Sequence, residues 1–336
     1  MWKITLDNPL ATMYHVDILT VQWAQNNLTS LEPALLFLSE YFTPAKLMDI
    51  YVPLLGAFNH HLLVRLVGAL GIINVCSSLI KWSVPAYRPY WWIREHNETD
   101  LLEQYQGTCE TTAAFPSSHC LSLTVFTYLL VFFLLRHFNL FGRHLKDVGN
   151  TVVILASTCM VLSRIYLAAQ FSHQCILSCI AAIVALRIFD KYSETLYTLT
   201  WFKSVSVVFG MSIFPVIIYF GMLQLDLDPH WSVRMAFKWC SDPAQLRHED
   251  SSIFVLGRDF GYIMGVVLST PIYKCYKTKS NPAKRLPAVL VLEVLNYYVR
   301  LVTPKNYGRV AFVAYEYVRN IIHSFTLLTI LPNVSG

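Results

Sequence analysis

The sequence predicts an all-α protein, a polytopic membrane bundle of about nine transmembrane helices. Of its 336 residues, 55% are hydrophobic and only 14% are charged, whereas a soluble domain usually carries about a quarter charged residues. Aromatic residues reach 14%, as expected when rings lie at the two bilayer interfaces. This composition excludes disordered, fibrous and nucleic-acid-binding proteins, and a net charge of +5 implies no surface for a polyanion. Membrane lipid is the expected surrounding.

Apolar runs along the chain define the predicted spans, because about 20 apolar residues are needed to cross roughly 30 Å of hydrocarbon. The clearest runs are 117–135 and 204–225, which contain no charged residue. Four further runs lie near 62–81, 147–164, 171–189 and 310–332. Three weaker runs, which contain charged residues, lie near 31–55, 253–273 and 286–302. In the 310–332 run, Glu316 and Arg319 are three positions apart and can pair on one helix face. Nine spans follow, and eight or ten also fit.

The loops between the spans predict the orientation of the chain. Loop 274–285 has five Lys and Arg residues and no acid, and loop 136–146 has three. The positive-inside rule places both loops in the cytosol, so the 82–116 loop faces the lumen or the exterior. That loop contains the sequon Asn97-Glu98-Thr99, and Asn97 is therefore predicted to be glycosylated. Without repeats or long linkers, residues 1–336 are predicted to form one membrane domain.

Cysteine usage leaves one question open. Cys109 and Cys240 lie in polar stretches on the same predicted side of the membrane. The sequence allows a disulfide between them but favours two free thiols.

Polar residues concentrate where several predicted spans reach the outer face. Three cations there, Lys81, Arg88 and Arg164, are called the cationic site below. The other members of the cluster are Ser117, Ser118 and His119 at a helix start, and His173 after a short turn. Arginine offers paired donors to phosphate oxygens, and the free N–H groups of a helix start bind anions.

Taken singly, these residues have structural interpretations. A basic residue at a helix end is usually an interface anchor, and Ser117 is a typical helix N-cap after Pro116. In combination on one face they predict a phosphate site. No Asp or Glu is expected in the cluster, so neither a metal nor another cofactor is required, and fixed cations would stabilise the phosphoryl group.

The spacing KxxxxxxRP, PS-G-H and SRxxxxxH resembles the signature of the acid-phosphatase superfamily, which includes lipid phosphate phosphatases and vanadium haloperoxidases. The segments RPYWW at 88–92, CET at 109–111 and SRIYLAAQFSHQ at 163–174 are similar to the glucose-6-phosphatase family. The motif-bearing core covers about 62–190. The resemblance implies a nine-span enzyme of the endoplasmic reticulum membrane that hydrolyses glucose 6-phosphate at a lumenal site, in gluconeogenesis. A separate transporter would then deliver the sugar phosphate.

The resemblance also implies a role for each matching residue. The cationic site would bind the phosphate, and Ser117 with its neighbouring N–H groups would hold the remaining oxygens. Ser118 stands where the family has glycine, and its hydroxyl can itself donate to phosphate. His119 would protonate the departing sugar oxygen and then activate water.

One position departs from the family pattern in a way that affects the chemistry. The family's nucleophile is the histidine six residues after the motif arginine, and this chain has Gln170 there. A carboxamide nitrogen is not a useful nucleophile. Hydrolysis would therefore need His173 as a replacement nucleophile, or direct attack by water with His119 assisting. The alternatives are a family member that binds sugar phosphate without turnover, and a lipid phosphate phosphatase.

Overall fold

The computed structural model describes residues 9–96, 102–105, 108–139, 143–240, 246, 251–273, 282–304 and 308–333. Over these residues the chain is helical and contains no strand, so the predicted all-α membrane bundle is confirmed. Asn97 and residues 274–281 of the basic loop lie outside the described residues.

Fifteen helices are present in the described part of the chain. They are α1 (Pro9–Asn27), α2 (Glu32–Tyr41), α3 (Pro44–Lys46), α4 (Val52–Phe58), α5 (His60–Ser83), α6 (Pro89–Glu95), α7 (Ser118–His137), α8 (Arg143–Tyr166), α9 (Ser172–Thr198), α10 (Trp201–Met211), α11 (Phe214–Gln224), α12 (Trp231–Trp239), α13 (Ser252–Tyr273), α14 (Pro282–Leu301) and α15 (Arg309–Asn333). A 3₁₀ turn at Thr29–Leu31 precedes α2, and a π-helical turn at Leu47–Tyr51 joins α3 to α4.

Six helical segments of the described chain are long and apolar enough to cross a membrane. They are His60–Ser83, Ser118–His137, His144–Tyr166, Ser172–Ser193, Trp201–Gln224 and Ser252–Ile272. Each coincides with one of the predicted spans, including both of the clearest ones.

The other three predicted spans have a different character. Region 31–55 is not one helix, because α2 ends at Tyr41 and the chain restarts at Pro44, which has no N–H to continue a helix. Thr43 caps the restart by accepting the N–H of Lys46 over 3.1 Å. Regions 286–302 and 310–332 form the continuous helices α14 and α15, which carry charges and do not belong to the six apolar segments. The number of nine spans stays a prediction.

Helix α5 lies at the centre of the bundle. Asn59 caps its start, with the side-chain oxygen accepting the N–H of Leu62 over 3.0 Å. Residues along the whole length of α5 are buried, and the helix packs against α7 and α13. Its last turn therefore brings Lys81 to the same end of the bundle as the start of α7.

Helices α13 and α15 approach each other closely because glycines recur every four residues on α13. A Cβ atom added at Gly261 would lie 2.5 Å from the carbonyl oxygen of Tyr317, and one at Gly265 would lie 2.6 Å from that of Ile321. Gly257 faces α15 in the same way. Small residues at such spacing let membrane helices pack backbone to backbone.

Charged side chains of α13 and α15 pair inside the bundle. The predicted pair of Glu316 and Arg319 is confirmed, with 2.8 Å between Oε2 and Nη2. Arg319 also donates to Asn296 Oδ1 over 2.9 Å, which links α15 to α14. Arg258 and Asp259 on α13 pair at 2.9 Å. These contacts satisfy charges that would be costly in lipid.

Candidate active site

The three cations of the cationic site come together from separate chain segments. Lys81 lies in the last turn of α5, Arg88 directly precedes α6, and Arg164 lies in the last turn of α8. All three are buried, with exposed fractions of 5%, 0% and 1%. Buried cations require anionic or polar partners, and these partners define the site.

Arg88 is held by the backbone as well as by an acid. Its Nε and Nη2 donate to the carbonyl oxygen of Thr112 over 3.0 and 2.8 Å, and Nη1 donates to that of Ala169 over 3.0 Å. Nη2 also contacts Glu110 Oε2 at 2.9 Å. The guanidinium group thus ties the 110–112 segment to the turn after α8.

Glu110 bridges the two arginines of the cationic site. Its Oε1 pairs with Nη2 of Arg164 and its Oε2 with Nη2 of Arg88. The expectation that no acid lies in the cluster is therefore wrong. Burial raises the pKa of Glu110, but Arg164 and Arg88 outweigh burial and hold the pKa well below its ordinary value. Glu110 is ionised and neutralises one positive charge of the cationic site.

Lys81 and His119 complete this part of the cluster. Lys81 Nζ donates to the carbonyl oxygen of Ala113 over 2.7 Å. His119 lies in the first turn of α7, is 8% exposed, and is close enough to Arg164, Glu110 and Lys81 for electrostatic interaction with each. None of the hydrogen bonds among the described residues involves its ring. The imidazole is thus available to a ligand.

Ser117 and Ser118 lie at the start of α7. Ser117 is the N-cap, and its Oγ accepts the N–H of Cys120 over 3.3 Å. Its own N–H donates to Ser178 Oγ over 2.7 Å. Ser118 is the first helical residue and is half-buried. The structural interpretation of Ser117 as a cap and its position beside the cationic site are both realised.

The turn after α8 aims Gln170 back at Arg164. Ala168 adopts a left-handed conformation with φ of 50°, which is uncommon for alanine, and the N–H groups of Ala169 and Gln170 both point at the carbonyl of Arg164. As a result Arg164 Nε donates to Gln170 Oε1 over 3.2 Å, and Ser117 Oγ donates to the same oxygen. The carboxamide of Gln170 is part of the cluster.

His173 lies apart from the cationic site in its contacts. Its Nδ1 hydrogen-bonds to one carboxylate oxygen of Asp17, and Ser172 Oγ donates to the other. Burial raises the pKa of Asp17, but these hydrogen bonds outweigh it and lower the pKa. No contact among the described residues joins His173 to the cationic site. Its role as a replacement nucleophile stays a prediction.

A disulfide fixes the segment that carries Glu110. Cys109 and Cys240 are bonded, with their Cα atoms 5.8 Å apart, so the first of the two states that the sequence allows is formed. The bond connects the loop before α7 to the end of α12, and Trp231 at the start of α12 packs edge-on against Trp91. In the described part of the chain, no group of three or more His, Cys, Asp or Glu could hold a metal ion.

Sequence reasoning missed three members of this region. The sequence did contain a signal for Glu110, because this residue is the centre of the CET segment at 109–111, which resembles the glucose-6-phosphatase family. The sequence contained no such signal for Asp17, because this residue lies on α1, a helix that was not among the predicted spans. Likewise Ser39 of α2 accepts from Arg164 Nη1 over 2.7 Å, although 125 residues separate the two.

Comparison with known proteins places these contacts in a family context. The chain is 27% identical to human "Glucose-6-phosphatase 2", covering 74% of each protein. It is 28% identical to "Glucose-6-phosphatase catalytic subunit 1" of Haplochromis nubilus, covering 68% of this chain and 69% of the relative. It is 27% identical to human "Glucose-6-phosphatase 3", covering 76% of each. No solved structure matches the chain.

The family comparison covers the segments that build the cluster. Residues 62–197 match the PAP2 superfamily, a range that contains the cationic site, His119 and Gln170. Together with the relatives, this match supports a phosphatase function. The resemblance to the glucose-6-phosphatase family is confirmed by these relatives and by the PAP2 match over residues 62–197.

Proposed function

We propose that this chain is a membrane phosphomonoesterase that hydrolyses glucose 6-phosphate to glucose and phosphate. The observation that carries the proposal is the buried cationic site at one end of α5, α7 and α8, beside His119, whose ring takes part in no hydrogen bond among the described residues. Buried guanidinium groups suit a phosphate dianion, since charge-assisted hydrogen bonds are stronger than neutral ones. The names of the relatives support glucose 6-phosphate as the substrate.

In this proposal each group of the cluster has one task. Lys81, Arg88 and Arg164 bind the phosphate oxygens and stabilise the charge of the transferring phosphoryl group. Ser117 and Ser118, at the start of α7, donate to the remaining oxygens. His119 acts on the sugar oxygen.

Water, rather than a side chain at position 170, attacks phosphorus in this mechanism, because a carboxamide cannot serve as the nucleophile. The bond from the water oxygen to phosphorus forms while the bond from phosphorus to the sugar oxygen breaks. His119 gives its proton to the sugar oxygen, and the attacking water returns a proton to His119. Free glucose and inorganic phosphate result.

A second function is favoured by the contacts of Gln170. Its carboxamide oxygen accepts from both Ser117 and Arg164, and its Nε2 donates to the carbonyl of Ala114 over 2.8 Å. A residue held in this way stabilises the site without offering a nucleophile. The chain would then bind sugar phosphate as a sensor or interaction protein and would not turn it over.

Phosphate release separates the two functions. Microsomes that express the chain are incubated with glucose 6-phosphate, and inorganic phosphate is measured against membranes carrying His119→Ala. Release that depends on His119 supports the hydrolase. No release, together with saturable binding of glucose 6-phosphate by the purified chain, supports the binding protein.

We further propose a location in the endoplasmic reticulum membrane with the cluster facing the lumen, a glycan on Asn97, a role in gluconeogenesis, and a separate glucose 6-phosphate transporter as partner. The Cys109–Cys240 disulfide supports the lumenal side, since disulfides persist in oxidising compartments. The glucose-6-phosphatase relatives support the metabolic role.

A further inference from the structure

Side-chain oxygens of the protein occupy the donors that a phosphate would use. Glu110 Oε1 pairs with Nη2 of Arg164, and Glu110 Oε2 pairs with Nη2 of Arg88. Gln170 Oε1 accepts hydrogen bonds from Nε of Arg164 and from the hydroxyl of Ser117. Two oxygens of Glu110 and one of Gln170 thus accept from the two guanidinium groups and the Ser117 hydroxyl. The three oxygens of a bound phosphate monoester would accept from the same donors.

Other nitrogen atoms of the two arginines donate to groups of the protein. Arg88 Nε and Nη1 donate to the carbonyl oxygens of Thr112 and Ala169, and Arg164 Nη1 donates to Ser39. These contacts orient the guanidinium groups. A phosphate that binds Nη2 of both arginines, or Nε of Arg164, must therefore replace an oxygen of Glu110 or Gln170.

Glu110 differs from the rest of this arrangement in charge and in exposure. It is the anion of the site, and its side chain is 16% exposed, whereas Arg88 and Arg164 are 0% and 1% exposed and Gln170 is 0% exposed. The carboxylate is thus the side chain of this group that an entering anion meets first. A carboxylate carries one charge on two oxygens, whereas a phosphate monoester near neutral pH carries close to two on three.

We propose that Glu110 is an internal competing anion, which an incoming phosphate monoester displaces from Arg88 and Arg164. This inference rests on the proposed phosphate site, and it assigns the selectivity of that site to Glu110. Ligands with a single carboxylate gain nothing by the exchange, because they replace one carboxylate by another. Dianionic phosphates gain charge and a third oxygen, so Glu110 sets both the affinity of the site and its selectivity for dianions.

Direct binding of an inorganic anion tests this without relying on turnover. The full-length chain is purified in detergent and titrated with orthovanadate and with inorganic phosphate, by calorimetry. Glu110→Gln keeps the shape and one acceptor oxygen but removes the competing charge. We expect the dissociation constant to fall by about tenfold or more, and selectivity for phosphate over acetate to weaken. Exposed Glu103 provides the matched variant Glu103→Gln, with wild-type affinity expected.

Glu110→Asp carries the test if Glu110→Gln fails to fold. A shorter carboxylate keeps the charge but cannot span both guanidinium groups, so anion affinity is expected to rise to a smaller extent. Unchanged or weaker anion binding in a folded position-110 variant, with measurable binding by the wild type, would overturn this inference alone. Absence of anion binding in the wild type and in every variant would overturn the phosphate site itself, and with it the proposed function.

Discussion

The guanidinium group of Arg164 donates to the carboxamide oxygen of Gln170 over 3.2 Å. The two residues are six positions apart, and the left-handed turn at Ala168 folds one back on the other. The chain therefore presents residue 170 to the cationic site even though the side chain there is not a nucleophile. An imidazole at this position would face the same donors.

Gln170→His should raise the rate of glucose 6-phosphate hydrolysis by orders of magnitude if the wild type turns over slowly. The substitution places an imidazole beside the intact cationic site and His119, which allows a covalent route. Phosphate release and acid-labile, base-stable phosphate on the protein are the two measurements.

His173→Ala is the matched control for that experiment. Because His173 hydrogen-bonds to Asp17, its loss should reduce turnover far less than His119→Ala does. Wild-type turnover that disappears in His173→Ala would instead establish His173 as the replacement nucleophile. A silent wild type with no gain from Gln170→His would show that other residues also disable the site.

Arg88→Ala should abolish phosphatase activity. Removing one partner of a buried, hydrogen-bonded charge pair typically costs about 2–5 kcal/mol, or roughly 30- to several-thousand-fold in binding. Arg88→Lys should fail as well, since an ammonium group lacks the planar fork of donors with which Arg88 binds Thr112, Ala169 and Glu110. Initial rates in membranes with equal protein content provide the measurement. Full activity of the lysine variant would mean that Arg88 only anchors the helix.

Gly265→Ala should destabilise the bundle. The new Cβ would lie 2.6 Å from the carbonyl oxygen of Ile321, and overpacking of this kind costs about 1–3 kcal/mol. Gly210→Ala on α10 is the matched control, because nothing lies within 4 Å of its added Cβ. Thermal unfolding in detergent should show a lower midpoint for the first variant and an unchanged or slightly higher one for the second. Equal midpoints would contradict close packing of α13 on α15.

Acid should destabilise the protein through Glu110. The pKa of this carboxyl is held well below its ordinary value by Arg164 and Arg88 against the effect of burial. Its stabilising contribution is therefore complete above the unfolded value of about 4.3 and is lost as the pH falls through the lower folded value.

The thermal midpoint measured from pH 7 down to pH 3 tests this prediction. The wild type should lose more stability below about pH 4 than Glu110→Gln does, whereas Glu103→Gln should follow the wild type. A parallel decline in all three proteins would mean that Glu110 does not contribute to the acid response.

Asn97 should carry an N-linked glycan, because its sequon is in the polar loop predicted to be lumenal. Asn97→Gln should remove one glycan's mass on gels run with and without endoglycosidase. A glycan that persists in this variant would show that the predicted topology is inverted or miscounted.

The long apolar helices could be predicted from the sequence because their signal is local. Runs 62–81 and 117–135 correspond to His60–Ser83 and Ser118–His137, since hydrophobicity over one segment is sufficient to define a span. The broken region 31–55 was harder to predict, because Pro44 and the π-helical turn interrupt an otherwise apolar stretch.

The candidate site could be predicted only in part, for a related reason. Lys81, Arg88, Ser117 and Arg164 stand at helix ends, where spacing along the chain indicates a shared face. Pairings between distant segments, such as that of Glu110 with Arg164, depend on the final packing, which no local pattern encodes.

The Cys109–Cys240 disulfide has a consequence for biosynthesis. Cys240 leaves the ribosome 131 residues after Cys109, so six helices, α7 to α12, must be made before the bond can close. Until then the segment that carries Glu110 has no covalent anchor. The disulfide beside the anion site therefore forms late in synthesis. A truncated chain that ends before α12 lacks Cys240 and cannot form it.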